Sequence, residues 1–203
     1  MSLNKRYFVT GIDTDSGKTV VSAALVEHLK ADYWKPVQAG FPTDTETIRS
    51  LVSNYGIIHP EGKILQAPMS PHAAAKLENI EVTINDLQVP NTENFIIIEG
   101  AGGVMVPLND SQLIIELAAE IDAEIILVSR NYLGSINHTL LSIEYLKNKN
   151  YKIAGIIFND EPNIESESFI LKYSGLKCLG HIEKLKTIDR STIKSIATKI
   201  ELA

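Results

Sequence analysis

The segment Gly11-Ile12-Asp13-Thr14-Asp15-Ser16-Gly17-Lys18-Thr19 constrains this chain most. It follows an apolar stretch, Tyr7-Phe8-Val9, and opens a helical pattern that starts near Val20. A glycine-rich turn between a strand and a helix start brings several backbone N–H groups onto one point, where the helix N-terminus adds positive potential. That arrangement cradles phosphate. Lys18 can reach the β- and γ-phosphates and the Thr19 hydroxyl can ligate Mg²⁺, with Thr14, Asp15, Ser16, Gly17 and Val20 lining the cradle. The usual spacing has four residues between the first glycine and Gly-Lys, whereas Ile12 to Ser16 makes five. Lys18 is expected to face solvent in the loop.

Apolar runs alternate with helical patterns along the rest of the chain. Strands are expected at 6–10, 32–37, 94–99, 124–129, 152–158 and 177–182. Helices are expected at 17–30, 44–54, 112–121, 135–148, 165–172 and 192–200, and residues 60–90 are the least regular portion. Ile96-Ile97-Ile98 and Ile125-Ile126-Leu127-Val128 are apolar on both faces, the mark of strands in a parallel sheet covered by helices. The pattern predicts an α/β fold in three layers, with a doubly wound, mainly parallel sheet built as one domain over 1–203. Ligands then sit at the carboxyl ends of the strands.

Polar residues stand at those ends. Lys35 closes the second strand before Pro36 and is placed beside the phosphate loop. Glu99 closes the third before Gly100-Ala101-Gly102-Gly103, where an acid supplies a hard oxygen to Mg²⁺ and the glycines allow close approach to a ligand. Asp44 either completes that Mg²⁺ shell with Thr19 and Glu99 or simply opens a helix. Leu133-Gly134-Ser135-Ile136-Asn137-His138 starts another helix, whose free N–H groups attract an anion unless Ser135 merely caps it; His138 reads as a packed, hydrogen-bonded ring. Asn159-Asp160 follows strand five and either reads a nucleobase edge or makes a turn.

These phrases, in this order, resemble the dethiobiotin synthetases, and Ser70-Pro71-His72 also looks like a segment of that family. The resemblance implies a fold similar to phosphate-loop nucleoside triphosphate hydrolases, a homodimer with shared sites, ATP as co-substrate and Mg²⁺ as cofactor. The implied substrates are 7,8-diaminopelargonic acid and CO₂, joined through a carbamate and a carbamic–phosphoric anhydride. By resemblance Lys18 and Lys35 are catalytic, and Thr19, Asp44 and Glu99 hold the metal. Glu99, Gly100, Ala101 and Gly102 line the nucleotide with Asp44, and Asn159, Asp160, Glu183, Lys184 and Leu185 its base. Lys35, Ala39 and the run Leu133 to Asn137 meet the substrate, the latter across the dimer interface. Two positions depart from the family: Ala39 stands where Ser or Thr is usual, and Glu183 where proline is usual. The related partitioning ATPases carry an extra lysine early in the loop, and Ile12 to Ser16 hold none.

Composition narrows the remaining classes. A net charge of −6 gives no reason to expect a nucleic-acid or anionic-membrane partner. Cys178 is the only cysteine, which excludes internal disulfides and cysteine-rich zinc sites; its apolar neighbours suggest a small buried strand residue. No run approaches about 18 consecutive apolar residues, and no basic–apolar–small leader pattern is seen, so the expected location is cytoplasmic.

Overall fold

The computed structural model describes residues 5–53 and 55–202. Its strands are β1 (Arg6–Gly11), β2 (Asp32–Trp34), β3 (Val37–Ala39), β4 (Lys63–Leu65), β5 (Ile96–Gly103), β6 (Glu124–Arg130), β7 (Ile153–Asn159) and β8 (Cys178–Ile182). Its α-helices are α1 (Lys18–Leu29), α2 (Asp44–Leu51), α3 (Pro71–Leu77), α4 (Glu116–Glu120), α5 (Ser135–Asn148), α6 (Ile164–Ser174) and α7 (Arg190–Ala197). Six strands form one sheet in the order β2-β5-β1-β6-β7-β8, every pair parallel. β3 and β4 pair separately.

Because side chains alternate across a strand, each central strand feeds two cores. Phe8, Ile96, Ile98, Ile125, Leu127, Ile156 and Phe158 point to one face and pack with Ile143 and Leu146 of α5 and Ile170 of α6. Tyr7, Val9, Ile97, Ile126, Val128 and Ile157 point to the other and pack with α1, α2 and α7. This gives helix, sheet and helix layers, the α/β architecture expected from the apolar runs. Pairing of Gly11 with Gly103 brings the end of β1 beside the end of β5, so the phosphate loop and the glycine turn share one rim of the sheet.

The segment 32–37 does not form one strand. Pro36 has no N–H to offer a ladder, and the chain leaves the main sheet after Trp34 to pair as β3 with β4. Residues 60–90 contain β4, α3 and a short 3-10 turn at Ile84–Asp86, elements too short to show a period. The helix expected at 112–121 shrinks to Glu116–Glu120. The one expected at 44–54 ends at Leu51, and its residue 54 lies outside the described residues. Cys178 opens β8 on the sheet edge and is exposed rather than buried.

Candidate functional site

A cavity of about 690 Å³ opens at the carboxyl ends of β1 and β5. Thr14, Asp15, Gly17, Lys18, Thr19 and Val20 line it from the phosphate loop, and Lys35, Ala39, Asp44, Glu99, Ala101 and Gly102 from the neighbouring elements. Met69, Ser70 and Pro71 close one side. Gly17 has φ near +90°, and a Cβ there would lie 2.1 Å from the Asn159 amide nitrogen, so both backbone conformation and space call for glycine.

The loop braces itself. The Ser16 side chain is fully buried, and its hydroxyl donates to the Asp13 carbonyl (2.9 Å). The Asn159 side chain donates to the Ser16 carbonyl (2.8 Å), tying the end of β7 to the loop. Lys18 is only 6% exposed, contrary to the solvent-facing position expected of it. Its ammonium donates to the carbonyls of Asp13 (3.1 Å) and Thr14 (2.9 Å), and among the described residues its third donor has no further partner and faces the cavity.

At the cavity base four side chains converge. The Thr19 hydroxyl lies 3.0 Å from Asp44 Oδ1 and 3.0 Å from Glu99 Oε1. Lys35 Nζ lies 2.6 Å from Asp44 Oδ2 and 3.1 Å from Glu99 Oε1, and donates to the Gly100 carbonyl at 2.9 Å. Lys35 and Glu99 are 3% and 1% exposed. A buried pair of this kind persists only when the remaining polar atoms are satisfied. Here the phenol of Tyr33, itself fully buried, donates to Glu99 Oε2 (3.1 Å).

Local sequence explains why Asp44 is available. Thr43 caps α2, accepting from the Glu46 N–H, while Glu46 reaches back to the Thr43 N–H in a capping box. The Gln38 side chain accepts from the Asp44 N–H (3.0 Å). With the helix end satisfied by others, the Asp44 carboxylate is turned into the cavity rather than spent as a cap. Nothing in the sequence around Gln38 or Tyr33 marks either as part of the site. Only the Thr43-x-x-Glu46 spacing carried a readable signal.

Charge states follow from these contacts. Burial opposes the Lys35 ammonium, but Glu99 and Asp44 beside it outweigh that and hold its pKa above the ordinary lysine value. Burial also opposes the Asp44 carboxylate, and Lys35 and Thr19 bring it below the usual range. Lys18 differs: burial and then the charge of Lys35 push its pKa down to about 8, with Glu99, Asp44 and Asp13 only partly offsetting them. Burial, then Glu99, push the Tyr33 phenol well up, so it remains a donor.

The donor set fits a hard divalent cation. The Thr19 hydroxyl has one proton, yet two carboxylate oxygens lie at equal distance from it, so one of them faces an oxygen lone pair. A cation taking all three oxygens would relieve that repulsion, and oxygen-only ligands suit magnesium rather than zinc. Among the described residues no three His, Cys, Asp or Glu cluster as a self-sufficient metal cage. Magnesium characteristically completes its shell with water and phosphate.

Other expected residues stand apart from this cavity. Leu133, Gly134, Ile136 and Asn137 line a separate one of about 660 Å³. Gly134, not Ser135, is the cap of α5, with φ near +101° and no side-chain cap bond; Ser135 is buried behind it. Leu133 is fully exposed. His138 is exposed rather than packed, and its Nδ1 pairs with the Tyr132 hydroxyl at 2.6 Å. Asp160 has φ near +80° and pairs with Arg130 (2.8 Å) at the end of β7. Glu183 and Lys184 are exposed just beyond β8, whereas Leu185 packs on the core.

With this geometry in place, similarity to known proteins is decisive. A family model described as an AAA domain matches residues 5–192. The protein named ATP-dependent dethiobiotin synthetase BioD in Cytophaga hutchinsonii is 52% identical over 199 residues, covering 97% of each chain. The chain belongs to the dethiobiotin synthetase family. The synthetase of the same name in Christiangramia forsetii is 48% identical, over 96% of this chain and 95% of its own. That in Paramagnetospirillum magneticum is 39% identical over 93% of each. Among solved structures, a ParA family ATPase from Chlorobium tepidum superposes with TM-score 0.53 at 13% identity, covering 97% of this chain and 99% of its own. The septum site-determining protein MinD of Pyrococcus horikoshii, complexed with Mg-ADP, superposes with TM-score 0.54 at 16% identity, over 95% and 86%. These likenesses show that this chain has the phosphate-loop α/β fold of those ATPases.

The depressed Lys18 yields a linkage prediction. Between pH about 8 and the ordinary lysine value of 10.5, folded Lys18 is largely neutral. A bound phosphate chain favours its charged form. Binding of ADP or inorganic triphosphate in that window should take up a proton, and affinity should fall as pH rises through it. Calorimetry in two buffers of different ionisation heat, at one pH inside the window, should give different apparent binding enthalpies. Equal enthalpies would mean that Lys18 does not change its charge on binding.

Proposed function

We propose that this chain, acting as a single ligase domain, carries out the ATP-dependent closure of 7,8-diaminopelargonic acid and CO₂ to dethiobiotin, ADP and phosphate. The observation that carries this reading is the buried Lys35–Asp44–Glu99–Thr19 cluster at the base of a phosphate cradle. The family kinship of the whole chain supports it. One amine of the diamine adds to CO₂ and loses a proton, giving a carbamate. A carbamate oxygen attacks the γ-phosphorus and ADP leaves. The second amine attacks the carbamoyl carbon, loses its proton and expels phosphate.

The carbamate is already anionic, so phosphoryl transfer needs no dedicated base, only positioning and charge. Lys35 meets the carbamate, held charged and directed by Glu99 and Asp44. Lys18 and the loop N–H groups from Thr14 to Val20 hold the phosphates, with Ala101 and Gly102 on the facing wall and Gly100 behind them, its carbonyl accepting from Lys35. Thr19, Asp44 and Glu99 would hold Mg²⁺, which when bound neutralises charge on the β- and γ-phosphates. Asn159, whose amide nitrogen is held by the Ser16 carbonyl, offers its amide oxygen to the nucleobase. Asp160 and the stretch Glu183 to Leu185 form the rim beside it, Glu183 replacing the rigid proline usual there. Ala39 gives the substrate wall no hydroxyl.

The Gly134 to Asn137 helix start receives the substrate carboxylate from the partner subunit's active site, which makes the working unit a homodimer. Two features support this. The helix start opens into a cavity separate from the phosphate cradle of its own chain, and Leu133 just before it is fully exposed, an apolar side chain left to be covered. Among the described residues no helix is long and apolar enough to cross a membrane. We place the enzyme in the cytoplasm, with small molecules and its own second copy as partners.

ADP release should require both diaminopelargonic acid and bicarbonate, stop on adding EDTA and return with Mg²⁺. Release independent of the diamine would instead mark a nucleotide switch of the partitioning type. Shared sites make a further prediction. Asn137→Glu places a like charge where the carboxylate docks, and an acid in the first turn does not harm a helix. Neither Lys35→Ala nor Asn137→Glu should be active alone, and mixed dimers should regain activity, because one of their two sites has both wild-type halves. Verified subunit exchange with no recovery would place the carboxylate site within one chain.

A further inference from the structure

We infer that Tyr33 is a positioning residue that sets which edge of the Glu99 carboxylate faces the reacting groups. The inference rests on the metal assignment proposed above. Tyr33 lies on β2, the edge strand of the main sheet, in register with Ile97 and therefore two residues before Glu99 on the neighbouring strand. Its backbone is clamped from the other side as well. Its N–H donates to the Ile57 carbonyl (2.9 Å), and its carbonyl accepts from the His59 N–H (2.9 Å). The ring is fully buried in the core beneath α1 and α2. The phenol oxygen therefore has a fixed address, 3.1 Å from Glu99 Oε2.

The two oxygens of Glu99 are treated differently. Oε1 accepts from Lys35 and lies 3.0 Å from the Thr19 hydroxyl, whose one proton it shares with Asp44. Among the described residues, the hydrogen bond to Oε2 comes from Tyr33 alone. The last torsion of a glutamate is broad, so contacts at one oxygen leave the carboxylate plane poorly defined. A donor fixed on the opposite oxygen defines that plane and keeps Oε1 aimed at Thr19, Lys35 and the phosphate end of the cavity. A core tyrosine seeking any partner for its hydroxyl would be satisfied by a backbone carbonyl. This one is spent on the carboxylate at the centre of the site. Groups that orient a metal-binding carboxylate typically alter metal affinity or activity by about 10–100-fold when removed.

The test is Mn²⁺ binding in the presence of ADP, followed by electron paramagnetic resonance on the full chain, with wild type, Tyr33→Phe, Glu99→Gln and the double variant. Tyr33→Phe should weaken Mn²⁺ about tenfold or more, leave metal-free ADP affinity unchanged, and add nothing further in the Glu99→Gln background. Mn²⁺ affinity equal to wild type, or an additive loss in the double variant, would overturn the inference while the metal site stands. If Glu99→Gln itself binds Mn²⁺ normally, the metal assignment falls and this inference with it. Should Tyr33→Phe not fold, a crystal structure of the wild-type protein with Mg-ADP decides the matter. Oε2 still on the phenol with Oε1 on the ion supports the inference, and a carboxylate turned off Tyr33 overturns it.

Discussion

Everything at this site depends on one buried ion cluster. Lys35 touches both Asp44 and Glu99, and Thr19 touches the same two acids from the other side. Removing either acid would leave a buried ammonium short of its partner, which costs far more than a surface pair is worth. The cluster is therefore a constraint on the fold as well as a tool. It requires that α1, the β2–β3 junction, α2 and β5 meet at one point, and the parallel sheet with its adjacent β1 and β5 ends is what brings them there.

The two lysines are divided by their surroundings. Lys35 sits between two carboxylates and keeps its charge. Lys18 is braced by carbonyls, repelled by Lys35 and pushed down to about 8. One is a fixed cation suited to an anionic nucleophile, and the other is a cation whose charge becomes favourable when phosphate arrives. That division gives a physical basis for assigning them to opposite ends of the transferred phosphoryl group.

Much of this was legible in the sequence because its signals are periodic or obligatory. Ile96-Ile97-Ile98 can only be a strand with two apolar faces, and it supplies both cores. Gly17-Lys18-Thr19 after Tyr7-Phe8-Val9 leaves little choice but a loop between strand and helix. What was missed involves contacts between distant segments or elements too short to repeat. β4 and β3 have three residues each. Tyr33 looks like any strand aromatic until Glu99 is placed beside it. Lys18 is turned back onto the Asp13 and Thr14 carbonyls by the fold of its own loop, and Cys178 is exposed because β8 is an edge strand, which no local window contains. Asp44 was ambiguous because helix capping and metal binding use the same residue type. Thr43 takes the capping role, which leaves the Asp44 carboxylate directed into the cavity.

The central claim is that a carbamate oxygen, directed by the Lys35 cluster, attacks the γ-phosphorus and leaves with it. Turnover with ¹⁸O-labelled bicarbonate tests this most directly, with phosphate analysed by mass spectrometry. One labelled oxygen per phosphate, formed in step with dethiobiotin, is the predicted result. Unlabelled phosphate accompanying normal ring closure would contradict the account, because the phosphoryl group would then have been transferred to water and not to the carbamate.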